Sequence, residues 1–291
     1  MVNIIASLGL VYLCGMKVEG VALGTLIAQY AGFLMGIVLW MHNYGRLKRL
    51  WEIKNYKLKI KGGEEAGIWE KGAMFRFFQV NRDIFLRTLC LVAVTLFFTS
   101  AGASQGEIIL AVNTLLMQLF TLFSYVMDGF AYAGEALSGR YIGARNREAF
   151  TDTVRHLFGW GAVIAVLFTL VYALGGNAFL GLLTDDKEVI AVADTYFYWA
   201  LAVPAVGIAA FIWDGIFIGA TATRGMLLSM AAAAVSFFIL YYGLHPVLAN
   251  HALWLAFLTY LLMRGVVQTG LSREVIRRAF PSKKEPAWRE G

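Results

Sequence analysis

Charged side chains are scarce in this chain of 291 residues. Asp, Glu, Lys and Arg occupy 15% of the positions, whereas they occupy about a quarter of an average soluble domain. Apolar residues occupy 59% of the positions, and the mean hydropathy is +0.65. This composition excludes a water-soluble globule and makes the lipid bilayer the solvent for most of the chain.

Residues that carry cofactor or enzyme chemistry are also few. Cys14 and Cys90 are the two cysteines, and both lie in apolar runs, so neither a disulfide framework nor a thiolate metal site is expected. The sequence has no phosphate-binding glycine loop, no paired zinc-ligand histidines and no nucleophile elbow. We therefore expect a protein that is not an enzyme, has no cofactor and draws its energy from an ion gradient. The net charge of +6 is spread over the gaps between apolar runs, which disfavours a nucleic-acid partner.

Apolar runs that approach or exceed the ~20 helical residues needed to cross a hydrocarbon core of about 30 Å recur along the chain. They predict eight membrane helices, at 2–15, 20–42, 77–100, 106–134, 156–175, 190–219, 225–246 and 250–271. Strands of a membrane barrel would show alternating polar and apolar positions, which these runs lack. The predicted fold is an all-α, polytopic helical bundle.

The distribution of Lys and Arg predicts the orientation, because cytoplasmic loops hold these residues in excess. Of the 25 basic residues, 21 fall on one side: between His42 and Arg76, after the fourth and sixth helices, and from Arg264 to the end. Lys17 and Lys187 fall on the other side. Both termini are therefore predicted to lie in the cytoplasm, in a plasma (inner) membrane.

The longest polar stretch runs from Tyr44 to Lys71 and contains Gly62-Gly63, which is typical of a linker. It divides the chain into two helices before and six after. Four segments are predicted, namely the last two helices of a first lobe (1–43), a cytoplasmic inter-lobe linker (44–76), a six-helix second lobe (77–272) and a cytoplasmic tail (273–291).

Charged residues inside the predicted helices are costly, at ~2.5 to 3.5 kcal/mol or more each, and indicate partners or function. At about 1.5 Å per residue, Arg87 lies roughly 16 Å above Arg76, Asp128 roughly 18 Å above Arg140 and Asp214 roughly 15 Å above Arg224. These three residues therefore share one depth. The candidates for ion or proton coupling are Asp214, Asp128, Arg87 and Asp83, with Asp214 also a candidate Na⁺ site.

Polar residues form stripes on the third and fourth helices, since Gln79, Asp83 and Arg87 recur every four residues. The stripes predict a polar cavity, and its candidate lining residues are Gln79, Asn81, Arg82, Asn113, Gln118, Thr121 and Tyr125. The alternative is a structural ion pair, between Arg87 and Asp128 or between Arg82 and Asp83. A kink is expected at Pro204 of the sixth helix.

The run from Met127 to Ala144, MDGFAYAGEALSGRYIGA, resembles the end of the eighth helix and the following loop in multidrug and toxic compound extrusion (MATE) transporters. The likeness is to their DinF-like branch. The runs WDGIFIGAT at 213–221, NRDIFLR at 81–87 and AVN at 111–113 are similar to the same branch. The resemblance implies two six-helix lobes around a cleft, and export of small organic, often cationic, compounds in exchange for H⁺ or Na⁺.

By this resemblance the chain supplies helices five to twelve of twelve, and the proton-linked aspartate of the family's first helix has no counterpart. Asp214 matches an acid on the tenth helix, and Arg87 stands where some relatives carry a glutamate. We expect no transport by these eight helices alone. The alternatives are a flippase for a lipid-linked molecule and a membrane remnant that transports nothing.

Overall fold

The computed structural model describes residues 2–12, 15–16, 18–60 and 71–281. The described residues form eight helices: α1 (Val2–Tyr12), α2 (Val18–Ile60), α3 (Lys71–Ala103), α4 (Glu107–Gly143), α5 (Arg147–Leu183), α6 (Lys187–Gly219), α7 (Thr223–Leu248) and α8 (Asn250–Ala279). Seven of them are long and apolar enough to cross a membrane, and α1 is a shorter apolar helix. The prediction of an all-α polytopic membrane protein is confirmed.

Helix continues into the stretch predicted as a linker. Helix α2 runs on to Ile60, and α3 begins at Lys71, so 44–60 and 71–76 are helical. Lys, Glu, Arg and Leu dominate this polar stretch, and all four favour helix. The middle of the predicted linker, 61–70, and all of the predicted tail beyond Pro281 lie outside the described residues.

The chain divides into two compact units, one ending at Ala73 and one beginning at Met74. In the first unit, α1 and α2 pack as an antiparallel pair, and the backbone N–H of Met16 donates to the carbonyl of Leu10 at 3.2 Å. A Cβ at Gly24 would lie 2.7 Å from the backbone nitrogen of Ser7. The absence of a side chain at Gly24 therefore permits this close approach.

In the second unit, α6 and α8 form the centre. The apolar parts of both helices are largely buried, whereas α3, α4, α5 and α7 expose more of their surface. Aromatic side chains fill much of this core, since Phe98 of α3 packs against Trp254 and Phe257 of α8. A helix that is apolar all round is expected at such a central position.

Helices α4 and α6 run parallel and touch through their backbones. A Cβ at Gly215 would lie 2.6 Å from the carbonyl carbon of Ala131 and 2.7 Å from its Cα. One turn further on, Gly219 meets the backbone of Glu135 in the same register. These two glycines bring α4 and α6 together at the level of Asp214.

Pro204 lies buried inside α6, which is helical from Lys187 to Gly219. Proline removes one backbone donor from the helix. A kink at this position stays a prediction.

Candidate functional site

The most highly charged part of the second unit's interior surrounds Asp214, in the last third of α6. Three side chains from two other helices donate to its carboxylate. Arg264 Nη2 of α8 lies 2.6 Å from Oδ2, and Gln268 Nε2 of α8 lies 2.5 Å from Oδ1. Arg87 of α3 donates through Nη2 to Oδ2 as well. One carboxylate thus ties three helices together, and we call these four residues the charge cluster.

The charge cluster is enclosed. The side chains of Asp214 and Arg264 are 10% and 6% exposed, and that of Arg87 is 19% exposed. The guanidinium of Arg264 also lies over the rings of Phe211 and Tyr260, at 5.9 and 5.6 Å from their centroids. Such contacts stabilise a desolvated cation.

Several polar atoms of the charge cluster have no hydrogen-bond partner in the part of the chain that the structure describes. Among the described residues, the Nε–H groups of Arg87 and Arg264 are buried without a hydrogen-bond partner, and so is Oε1 of Gln268. Two guanidinium groups face a single paired carboxylate, so the cluster by itself carries one excess positive charge. An uncompensated charge at this depth is costly.

Arg264 corrects one sequence prediction. Arg264 was expected to belong with the basic residues of the cytoplasmic side, and that placement is wrong, since Arg264 is buried against Asp214 in the middle of α8. The missed signal was the spacing of Arg264 and Gln268, which lie four residues apart on one helix face.

Of the two ion pairs offered as structural alternatives, one is present. Arg82 pairs with Asp83 at 3.0 Å. Arg87 does not pair with Asp128, because its guanidinium is bound to Asp214. The structure therefore brings together Arg87 and Asp214, two of the three residues for which the sequence predicts one depth.

Asp128 lies apart from these pairs. It is half-buried on α4, and among the described residues it makes no hydrogen bond or salt bridge. It nevertheless lies within electrostatic range of Asp214, Arg264 and Arg87. Asp128 is thus an unpaired acid beside a cluster that lacks negative charge.

Asp83 lies nearer the start of α3 and is 2% exposed. Besides Arg82, it accepts from the hydroxyl of Thr223 at 3.4 Å. Thr223 is the first residue of α7, a helix whose N-cap residue makes no side-chain hydrogen bond. A carboxylate beside a helix N-terminus is favourable, so Asp83 fastens α3 to α7.

The predicted cavity-lining residues fall into several different surroundings. Gln79 lines, with Asp83, a cleft of about 1170 Å³ formed by α3, the α6–α7 turn and the end of α8. Asn81 is exposed and donates to the carbonyl of Phe77, and the side chain of Arg82 is 62% exposed.

The remaining candidates lie on α4. Thr121 donates to the carbonyl of Met117 in its own helix, and Gln118 and Tyr125 lie exposed on the outer face. The structure does not gather the candidates of α3 and α4 into one cavity.

Asn113 has a packing role instead. It exchanges hydrogen bonds with Asn250 at 2.8 and 3.0 Å and accepts from the indole of Trp254 at 2.8 Å. All three side chains are buried, so their polar groups are consumed inside the α4–α8 contact. Asn250 and Trp254 escaped the sequence analysis because they lie in an apolar run that shows no polar stripe.

The arrangement leaves one acid outside the ion pairs. A half-exposed carboxylate can exchange a proton with water, and the charge cluster behind it changes its electrostatic balance when that happens. Among the described residues there is no group of three or more His, Cys, Asp or Glu side chains that could hold a metal ion.

Comparison with known proteins gives a family match and a related protein of Escherichia coli. The MatE family profile matches residues 84–247, which is more than half of the chain. The chain is 39% identical over 264 residues to the DNA damage-inducible protein F of Escherichia coli (strain K12), covering 91% of this chain and 55% of that protein.

Two plant proteins are more distant relatives. The chain is 23% identical over 209 residues to Protein DETOXIFICATION 45, chloroplastic, of Arabidopsis thaliana, covering 72% of this chain and 34% of that protein. It is 20% identical over 268 residues to Protein DETOXIFICATION 42 of the same plant, covering 91% and 48%. The chain thus spans about half the length, or less, of these curated relatives. The family match and the 39% identity confirm the resemblance found in the sequence: this chain belongs to the MatE family of multidrug and toxic compound extrusion transporters.

Proposed function

We propose that this chain provides the second six-helix lobe of a MatE-type exporter that moves small organic compounds out of the cytoplasm in exchange for protons. Membership of a transporter family supports export rather than catalysis. The observation that carries the proposal is the charge cluster, because a buried carboxylate that ties α3, α6 and α8 together is suited to linking a charge change to helix movement.

Protons fit the site better than Na⁺ does. Arg87 and Arg264 both bind Oδ2 of Asp214, so a Na⁺ ion at this carboxylate would lie within a few Å of two guanidinium groups. Their repulsion of a cation grows as the surroundings become less polar. A proton exchanged at a carboxylate nearby meets no such steric or coordination demand.

The proposed transport follows alternating access, in which two lobes rock so that a cleft opens to one side and then to the other. Both termini lie in the cytoplasm, in the orientation that the basic residues favour. Cysteines introduced one at a time at Arg145 and Asp185, in a chain without Cys14 and Cys90, test this orientation. A membrane-impermeant maleimide added outside intact cells labels position 185 and leaves position 145 unlabelled; the reverse pattern contradicts it.

Transport itself is tested with a chimera. The first four helices that the family resemblance implies are taken from the E. coli relative and joined ahead of Met1 of the full present chain, and the product is reconstituted in proteoliposomes. We expect an imposed pH gradient to drive exchange of ethidium, a permanently charged organic cation. A Na⁺ gradient with the pH held equal on both sides should drive none.

Two results would contradict the proposal. Absence of ethidium exchange by a correctly folded chimera argues against export, and exchange driven by Na⁺ alone argues against proton coupling. The chain on its own, reconstituted in the same way, is expected to show no exchange. Asp214→Asn in the chimera should slow exchange, because it leaves Arg87 and Arg264 without the carboxylate that holds α3, α6 and α8 together.

A further inference from the structure

Asp128 is the acid that the charge cluster leaves free. It lies half-buried on α4 and has no hydrogen-bond or salt-bridge partner among the described residues. The carboxylate of Asp214, by contrast, accepts hydrogen bonds from Arg87, Arg264 and Gln268. A carboxylate that already binds two guanidinium groups must break both contacts to take up a proton, whereas an unpaired carboxylate breaks none.

The backbone register places the two acids close together. Ala131 of α4 meets Gly215 of α6, and Glu135 meets Gly219, with the same offset between the parallel helices. Continuing that register one turn back puts Asp128 level with Ile212, two residues from Asp214. At about 1.5 Å per residue, the two carboxylates differ by roughly 3 Å along the helix axes.

Charge balance links Asp128 to the arginines. Arg87 and Arg264 face one paired carboxylate, so an ionised Asp128 brings the local charge to zero, and a protonated Asp128 leaves one positive charge. The charges that act on Asp128 come from α3, α6 and α8, through Arg87, Asp214 and Arg264. The charged residues of α5 lie in its first turns, from Arg147 to Arg155. In a medium of low polarity such a change is large.

The outer face of α4 around Asp128 suits a cationic ligand. Thr121, Tyr125, Asp128 and Tyr132 follow one another at spacings of four, three and four residues and therefore share a helix face. Tyr125 and Tyr132 are 71% and 69% exposed. Aromatic rings on both sides of a carboxylate are the arrangement that organic cations prefer.

We propose that Asp128 is the carboxylate at which a proton and a cationic substrate compete, and that Arg264 is a positioning residue that keeps Asp214 out of this exchange. The proposal rests on the proposed function, whose substrate class and coupling acid it specifies. Ionised Asp128 attracts the cation to the Tyr125–Tyr132 face. Protonation of Asp128 removes that attraction and leaves the excess positive charge of the arginines to repel the cation.

Binding of ethidium to the full chain in detergent micelles, followed by fluorescence between pH 5.5 and pH 8, tests this directly. Competition with one proton lowers the affinity by about tenfold for each pH unit below the range in which Asp128 titrates. Asp128→Asn should bind ethidium weakly and show no pH dependence. Asp194→Asn, which changes an exposed acid of α6, is the matched control and should behave as the unmodified chain does.

Retention of pH-dependent binding by Asp128→Asn overturns the proposal, and so does a failure of the unmodified chain to bind ethidium at any pH in this range. Loss of the pH dependence in a folded Asp214→Asn variant, with Asp128 intact, overturns it too. The binding experiment and the chimera experiment test different claims. If proton-driven exchange by the chimera survives Asp128→Asn, the role of Asp128 is rejected and export is not. If the chain binds ethidium in a pH-dependent way but the chimera shows no exchange, export is rejected and the role of Asp128 is not.

The role of Arg264 has its own readout. Arg264→Gln releases Asp214 from one guanidinium and adds a second exchangeable acid, so the affinity for ethidium should fall by more than tenfold per pH unit. Arg264→Lys keeps a cation at that place and should restore the single-proton slope, which a purely structural role does not require. An unchanged slope in a folded Arg264→Gln variant contradicts the positioning role.

Discussion

The same dipeptide, Asp-Gly, occurs inside two neighbouring parallel helices with opposite results. Asp214-Gly215 in α6 is buried, its carboxylate is bound by three side chains, and its glycine touches the backbone of α4. Asp128-Gly129 in α4 is more exposed, its carboxylate has no described partner, and a Cβ at Gly129 would meet nothing within 4 Å. Identical local sequence therefore gives one structural acid and one available acid.

The difference arises from the neighbours in space. Helix α6 lies at the centre of the second unit and meets α4, α5 and α8, whereas α4 keeps one face outward. A charge on the central helix has to be compensated by other helices. A charge on the outward face can remain available for exchange.

The largest effect should follow from removal of the buried acid. Asp214→Ala leaves Arg87 and Arg264 without their shared counter-charge, and loss of one partner of a buried pair costs about 3–5 kcal/mol. Asp128→Ala should cost well under half as much, because no described contact is lost. The two variants are compared by their free energies of unfolding, measured by titration with sodium dodecyl sulfate in mixed micelles. Equal destabilisation would remove the distinction between the acids.

The two glycines provide a second contrast. Gly215→Ala forces a Cβ against the Ala131 backbone and should separate α4 from α6, at a cost of about 1–3 kcal/mol for overpacking. Gly129→Ala has free space and should stabilise the helix by about 0.5–1 kcal/mol, because alanine favours helix over glycine. The same unfolding titration measures both. Destabilisation by Gly129→Ala to the level of Gly215→Ala would contradict the described α4–α6 contact.

The smallest effect concerns the third acid of the sequence analysis, Asp83. Thr223→Val removes a hydroxyl that donates to Asp83 at 3.4 Å, and one net hydrogen bond contributes about 0.5–1.5 kcal/mol. The long distance points to the lower end of that range. Thr114→Val is the control, since the Thr114 hydroxyl donates only within its own helix. A loss above that range in the same titration would give Asp83 a larger structural role than its contacts support.

Much of the architecture was accessible from the sequence because lipid imposes long apolar helices. The seven long spans all coincide with described helices. The shared depth of Arg87, Asp128 and Asp214 brought these residues together as candidates, but the pair offered for Arg87 was Asp128, and the structure pairs it with Asp214. Arg264 was missed because it was counted with the basic residues that follow it to the end of the chain, although it lies inside the predicted span 250–271 and α8 continues to Ala279.

The surroundings of the polar residues were less accessible. The sequence shows that Asp128 and Asp214 share a depth, but their exposure depends on which helix occupies the centre of the bundle. Asn113 illustrates the same limit, since its partners Asn250 and Trp254 lie more than 130 residues away in the chain. Periodicity identifies a polar face; it does not identify what covers that face.

Infrared difference spectroscopy of the full chain during acidification tests the distinction between the two acids most directly. A protonated carboxyl group has a C=O stretching band that an ionised carboxylate lacks. We predict that the band gained between pH 8 and pH 5.5 contains a component that disappears in Asp128→Asn and persists in Asp214→Asn. Loss of that component in Asp214→Asn, with no change in Asp128→Asn, would contradict the account.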